Sequence, residues 1–310
     1  MPMLRKPHRP PLRLAYLLVS AVLLAPVCAA QPPPTNRAEA TALIRQAVDN
    51  RLAQDKTHQP ERFVMHKWDE LHDVTREIIE TPQGDVALLI GVNGKPLDAA
   101  GEQAERNRLD LLDAHPESQE HRQKREQADD DRVTNLLRVL PDAFLYDYQG
   151  TVPCEVTVQP DIPIPGASQQ APQQPAPEQR CYHMTFTPNP AWNPPNLEAK
   201  VLRGLAGEIW LEASDDRLCR LNAHLIQGVD FGWGIVGRLN QGGTVSLEQT
   251  RIGEHDWELT RLKLNFTGKA LLVKSLTYRM NEEFAHFAPV PAGTDYHKAI
   301  QILEASQSAK

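Results

Sequence analysis

GEIWLEAS (207–214), RLCRLNAHLIQ (217–227), GTVSLEQTRI (243–252), WELTRLKLNF (257–266) and ALLVKSLTYRM (270–280) decide the fold class. Each stretch is rich in β-branched, aromatic and leucine residues, and each is bounded by turn chemistry: Ser214-Asp215-Asp216, Gly242-Gly243, Gly253 to Asp256 and Thr267-Gly268-Lys269. Consecutive strands joined by turns this short must run antiparallel. Several, such as WELTRLKLNF, alternate polar with apolar side chains, the pattern of a sheet covered on one face.

The rest of the chain extends this meander in both directions. Asn36 with Glu39 three positions on resembles a capping box, and Ala40, Leu43, Ile44, Ala47 and Val48 follow at helical spacing, which predicts a helix over 37–54. RFVMHKWDELHDVTREIIET (62–81) reads as one long strand or a hairpin, and DVALLIGV (85–92) follows the turn at Pro82-Gln83-Gly84. Residues 98–140 form a charged helical insertion, with helices over 98–113 and 117–140 separated at His115-Pro116. The stripe Val133, Leu136, Leu137 and Leu140 should dock on the sheet, while Glu117 to Arg132 reads as a solvated face. FLYDYQG (144–150), PCEVTV (153–158) and CYHMTFTP (181–188) are further strands around a Pro/Gln-rich loop at 159–179.

These elements predict an α+β, mainly antiparallel fold. It is a strongly curved sheet or unclosed half-barrel of about ten strands, with an N-terminal helix and the inserted helices on its concave side. The domain runs from 37 to 292, after a signal peptide (1–30) and a linker (31–36), and ends in a polar C-terminal tail (293–310).

The signal peptide is read from Arg5, Lys6, Arg9 and Arg13, then the apolar run LAYLLVSAVLLAPV (14–27), then Cys28-Ala29-Ala30. The expected address is periplasmic or secreted, with no integral membrane span after cleavage and with lipid attachment at Cys28 as the alternative. The net charge is −7, and cleavage would remove four basic residues and no acidic ones. So acidic a body lacks the clustered cations that neutralise phosphates, which excludes general nucleic-acid binding.

Cleavage would leave Cys154, Cys181 and Cys219. Cys154 and Cys181 flank the Pro/Gln-rich loop at strand edges and are the expected disulfide in an oxidising compartment. Cys219 alternates in phase with Leu221, Ala223 and Leu225, which places it on the apolar face as a small buried thiol.

The order of elements resembles the bacterial outer-membrane lipoprotein-sorting (lipoprotein carrier) superfamily. NGKPLDAAGEQAERNRL (93–109), FTPNPAWNPPNLEAKVLRGLAGEIWLEASDDRL (186–218), FGWGIVGRLNQGGT (231–244) and FTGKALLVKS (266–275) are similar to uncharacterised secreted bacterial proteins given that fold. The resemblance covers roughly 36–290. It implies an unclosed barrel whose helices act as plug or lid over an apolar ligand, such as a lipid or a lipoprotein acyl chain. It transfers no specific ligand residue, because no binding motif matches position by position.

The candidate ligand site is accordingly the apolar face of the meander with the N-terminal helix: Leu43, Val48, Ile209, Leu211, Leu221, Leu225, Leu262, Leu264 and Leu272. The expected function is non-catalytic binding of a hydrophobic ligand or an envelope partner, without cofactor or metal. A protein-interaction scaffold and a secreted hydrolase are the alternatives.

Three sharper motifs fail on physical grounds. Gly232 to Gly237 fits G-x-G-x-x-G, but that motif needs a strand before it and a helix after it. His66, Trp68, Glu70 and His72 would share a strand face, yet the two histidines stand too far apart for one ion. No G-x-S-x-G elbow exists, and Asp256 with Glu258 reads as an ordinary surface pair.

Overall fold

The computed structural model describes residues 32–154, 159–163, 179–231, 237–253, 256–270 and 274–308. Expectations for the signal peptide, for Leu272, for most of the Pro/Gln-rich loop and for the centre of the glycine-rich crossover lie outside those residues.

Helix α1 (Arg37–Thr57) begins at the expected capping box: Asn36 Oδ1 accepts from the Glu39 amide at 3.0 Å, and Asn36 Nδ2 donates to Glu39 Oε1 at 2.9 Å. The stretch 62–81 is a hairpin, β1 (Glu61–Trp68) and β2 (Asp73–Ile79), turned by Asp69, whose carboxylate accepts from the Leu71 and His72 amides. Strands β3 (Val86–Val92) and β4 (Lys95–Pro96) precede helices α2 (Ala99–Ala114) and α3 (Pro116–Ala143). Then come β5 (Phe144–Pro153), β6 (Arg180–Pro188), a 3-10 turn (Glu198–Gly204), β7 (Leu205–Glu212) and β8 (Arg217–Leu225). The chain closes with β9 (Val229–Phe231), β10 (Gly237–Leu239), β11 (Thr244–Arg251), β12 (Trp257–Ala270), β13 (Lys274–Pro289) and α4 (Tyr296–Ser308).

Among the described residues every pairing is antiparallel, in one unclosed sheet of thirteen strands ordered β4-β3-β2-β1-β13-β12-β11-β8-β7-β6-β5, with β9 and β10 as a side hairpin on β12. β10 is a strand where a nucleotide-binding crossover would need a helix, in keeping with the rejection of that motif.

The registers define two faces. One carries Phe63, Met65, Arg76, Ile78, Ala87, Leu89, Phe284, Leu262, Leu264, Val245, Leu221, Leu225, Ile209, Leu211, Met184 and Phe186. Over β5 to β8 this first face is covered by Leu43 and Ile44 of α1 and by Leu136, Val139 and Leu140 at the end of α3. Of the stripe expected to dock, Leu136 and Leu140 do so and Val139 joins them, whereas Val133, one turn earlier, is exposed.

The opposite face is covered at the other end of the sheet. Val64, Ile79, Val86, Leu88 and Ala285 pack with Leu109 and Leu112 of α2 and with Tyr296, Ala299, Ile300 and Leu303. This corrects the reading of 293–310 as a polar tail. Tyr296, Ala299, Ile300 and Leu303 stand at i, i+3, i+4 and i+7, so a short amphipathic helix folds back and buries its apolar stripe. Ile162, at the start of the Pro/Gln-rich loop, is buried in the same cluster, where its carbonyl lies 2.8 Å from His286 Nε2.

The disulfide joins Cys154 to Cys181 as expected, and Cys219 is a free, buried thiol. Its phase differs from the sequence reading. The β7–β8 register shifts at Trp210/Leu211, so that Cys219 leaves the Ala223–Leu225 face and packs with Cys181, Cys154 and Trp257 instead.

Leu303 is fully buried, whereas Leu276 on β13 is 42% exposed. Leu303→Ala should cost about 2–5 kcal/mol in urea unfolding, and Leu276→Ala about 0.5 kcal/mol or less. Equal small losses would show that α4 does not hold the second core.

Candidate ligand-binding site

The sequence-derived apolar residues divide into two sets. Leu43, Ile209, Leu211 and Leu225 are buried in one cluster with Met184 and Phe186, and Leu221 packs against it. Val48 is buried as well. The space beneath α1 is therefore occupied by buried side chains. Leu262 and Leu264 are different: they lie half-buried on the same sheet face, beyond that cluster. With Leu247, Met280, Phe63 and Phe284, also half-buried, they carry the apolar face on toward β1 and β2.

At that end the face borders a cavity of about 530 Å³. Its floor is Met65 of β1, Ile78 of β2 and Ala87 and Leu89 of β3. Strand alternation puts all four on one face, where Met65 opposes Arg76, Arg76 opposes Leu89, and Ile78 opposes Ala87. Its walls are Arg76 itself, Asp85, Glu105 and Arg108 of α2, and Arg122 and Glu126 of α3.

The helices are held to this end of the sheet by polar contacts that periodicity does not reveal. β3 has its free edge here, and α2 caps it: Glu105 Oε1 accepts from the Leu89 amide at 2.7 Å and Arg108 donates to the Ala87 carbonyl. Arg108 also pairs with Glu105 at 2.7 Å. From α3, Gln119 donates to the carbonyls of Gln83 (3.1 Å) and Gly84 (2.9 Å), Gln123 to that of Pro82 (2.6 Å), and Glu126 accepts from the Asp85 amide (3.0 Å). Gly84 must be glycine, since φ is +99° and a Cβ would meet Glu126 and Gln123. The segment expected to be a solvated face thus has one committed side. Its signal was present as Gln119, Gln123 and Glu126 at i, i+4 and i+7.

Three arginines line the cavity, and they differ in their pairing. Arg108 is engaged. Arg76 has no acidic or hydrogen-bonding partner among the described residues, although it stands between Met65 and Leu89. Arg122 Nε is buried without an acceptor. Asp85 and Glu126 also line a neighbouring acidic groove with Glu80, Asp129 and Asp130. Burial, then the Glu126 charge, pushes Asp85 up to about 7, and burial raises Glu126. With Asp85 at about 7, part of its negative charge is lost near neutral pH on the wall that it shares with Arg76 and Arg122.

The other sequence candidates are paired structurally. The hairpin turn separates His66 from His72; His66 bonds Asp73 at 2.9 Å and stacks on Trp68 at 4.6 Å, and His72 caps back to Asp69. Glu258 does not stand with Asp256 as a surface pair. It accepts from Gln54 at 3.0 Å and lies near His58, beside Glu80 and Glu61. His58 is raised to about 9, chiefly by its 2.7 Å bond to Glu80, and burial raises Glu61 to about 7.

No family model matches the chain, and no curated protein matches it. Among solved structures, a DUF1329 family protein from Desulfovibrio piger is similar at 12% identity, over 85% of this chain and 98% of that chain, with a TM-score of 0.30. A likeness that distant carries no argument.

The titrations set a pH profile. Asp85 and Glu61 keep protons to about 7 in the folded chain but release them near 3.8 and 4.5 when unfolded, so stability falls as pH climbs through that window. The His58 contribution is complete below 6.5 and is lost as pH rises through about 9. The melting temperature should therefore decline from pH 5 to pH 9, with Asp85→Asn flattening the lower part and His58→Gln the upper. A profile that rises across the range would contradict both assignments.

Proposed function

We propose that the protein is a non-catalytic binding protein of the bacterial cell envelope, exported by its N-terminal signal, that holds an amphiphile with an acidic head. The acyl portion lies on Met65, Ile78, Ala87 and Leu89 and continues along the half-buried apolar face toward Leu262 and Leu264. The head meets Arg76 and Arg122. The observation that carries this reading is Arg76: a half-buried guanidinium between apolar neighbours, on the wall of a cavity, without an acid among the described residues. A guanidinium forms its strongest hydrogen bonds with carboxylate or phosphate oxygens, and the apolar floor rewards a chain rather than a small anion.

Among the described residues, no helix is long and apolar enough to cross a membrane. A lipoprotein-carrier-like role agrees with the unclosed sheet, the inserted helices and the signal-like N-terminus. The site lies at β1 to β3, however, because α1 fills the face first expected to hold the ligand.

The test is titration of the purified mature chain with a fluorescent fatty acid and with its uncharged alcohol. The acid should bind saturably. Arg76→Gln should weaken it by roughly tenfold or more, the scale of a charged hydrogen bond, and leave the alcohol unchanged. No saturable uptake of either probe, or equal loss of both in Arg76→Gln, would refute the proposal.

A further inference from the structure

The three cysteines of the mature chain converge on one point. Cys181 Sγ lies 3.5 Å from Cys219 Sγ, and the sulfurs of Cys154, Cys181 and Cys219 all fall within 4.8 Å of one another, every one of them buried. They come from β8, from β6 and from the end of β5, brought together by the register shift that turns Cys219 out of its alternation. Three thiolates around one ion at about 2.3 Å stand about 4 Å apart, so closing on a metal requires little more than parting the disulfide pair.

Their surroundings suit a soft cation. Trp257 is buried against the sulfurs, and Trp210 and Val152 pack on the same cluster, so the sulfurs stand in an apolar setting of the kind that soft thiolate ligation favours. A cavity of about 250 Å³, lined by Val152, Pro153, Trp210 and Arg220 together with Cys181 and Cys219, leads to two of the three sulfurs. Burial, then the Glu212 carboxylate, holds the free Cys219 thiol protonated, up to about 12, against the smaller opposing effects of the Glu212 amide, Arg251 and Arg220. A metal would have to displace that proton, which soft, high-affinity ions do.

We propose that Cys154, Cys181 and Cys219 form a redox-gated site for a soft monovalent cation, copper(I) or silver(I). In the oxidised chain the Cys154–Cys181 bond withholds two ligands. An external dithiol reduces that bond: its two sulfurs are oxidised to a disulfide, and Cys154 and Cys181 each gain a proton and an electron. The metal then takes all three sulfurs, releasing their protons to solvent. The site lies far along the sheet from the arginine-lined cavity, toward the edge that β5 forms, and is independent of ligand binding there.

The experiment is anaerobic titration of the full mature chain with copper(I) against a chromogenic copper(I) chelator, before and after reduction by a phosphine. One copper per reduced chain is expected, and none in the oxidised chain. X-ray absorption on the copper-loaded wild type should show three sulfurs at a single distance; two sulfurs would overturn the proposal without recourse to any variant. Cys219→Ser should weaken binding by at least about tenfold, the loss typical even of an outer-shell partner. Equal copper uptake by oxidised and reduced chains would also refute it.

Discussion

The pairing of β1 with β13 holds the molecule together. Without it there would be two separate sheets, the hairpins β1 to β4 and the meander β5 to β13; with it there is one. The partners Glu61 and Pro289 lie at opposite ends of the folded chain, so this ladder carries a large loop-closure cost. Phe63 against Phe284 and Phe287, on the strands being joined, and Val64 with Ala285 in the second core supply the burial that offsets it. The two helical layers then follow. α1 and the end of α3 cover one face over the meander, and α4 with α2 covers the other face over the hairpins. Each half of the sheet is sealed on one side, and the sides are opposite. The first face therefore runs out from under its cover as it nears β1, and there the cavity opens.

Local pattern made much of this legible. Period-two alternation with Gly and Asp turns located the strands, and Asn36 with Glu39 located the start of α1. The disulfide followed from strand-edge cysteines on either side of a loop. What escaped was whatever depended on pairing between distant elements. Leu43, Ile209, Leu211 and Leu225 look the same in a sequence whether they line a pocket or fill a core, because the deciding quantity is the position of α1 over them. The cavity was invisible for the converse reason. Its residues come from five elements, and Arg76 differs from any strand-surface arginine only in having Met65 and Leu89 beside it.

Two of the misread segments erred in the same direction. The C-terminal segment reads as a polar tail, yet four apolar residues at helical spacing are enough to dock it. The charged half of α3 was judged by its net polarity, yet three side chains on one side bind the β2–β3 turn. Composition averages over a helix; packing needs one stripe of it. Cys219 shows the same limit in a strand, where a single bulge overrides alternation.

Helix α3 is 28 residues long, about 42 Å at 1.5 Å per residue, and its two ends serve different parts of the sheet. Its first turns grip the β2–β3 turn beside the cavity, and its last turns lie in the core beneath β5 and β6. A helix is stiff along its axis, so it acts as a beam. Any molecule that lifts Arg122 and Glu126 to enter the cavity must tilt that beam against Leu136, Val139 and Leu140. A tilt of its first turns would thereby load the packing around Tyr146 and Phe186 at its last.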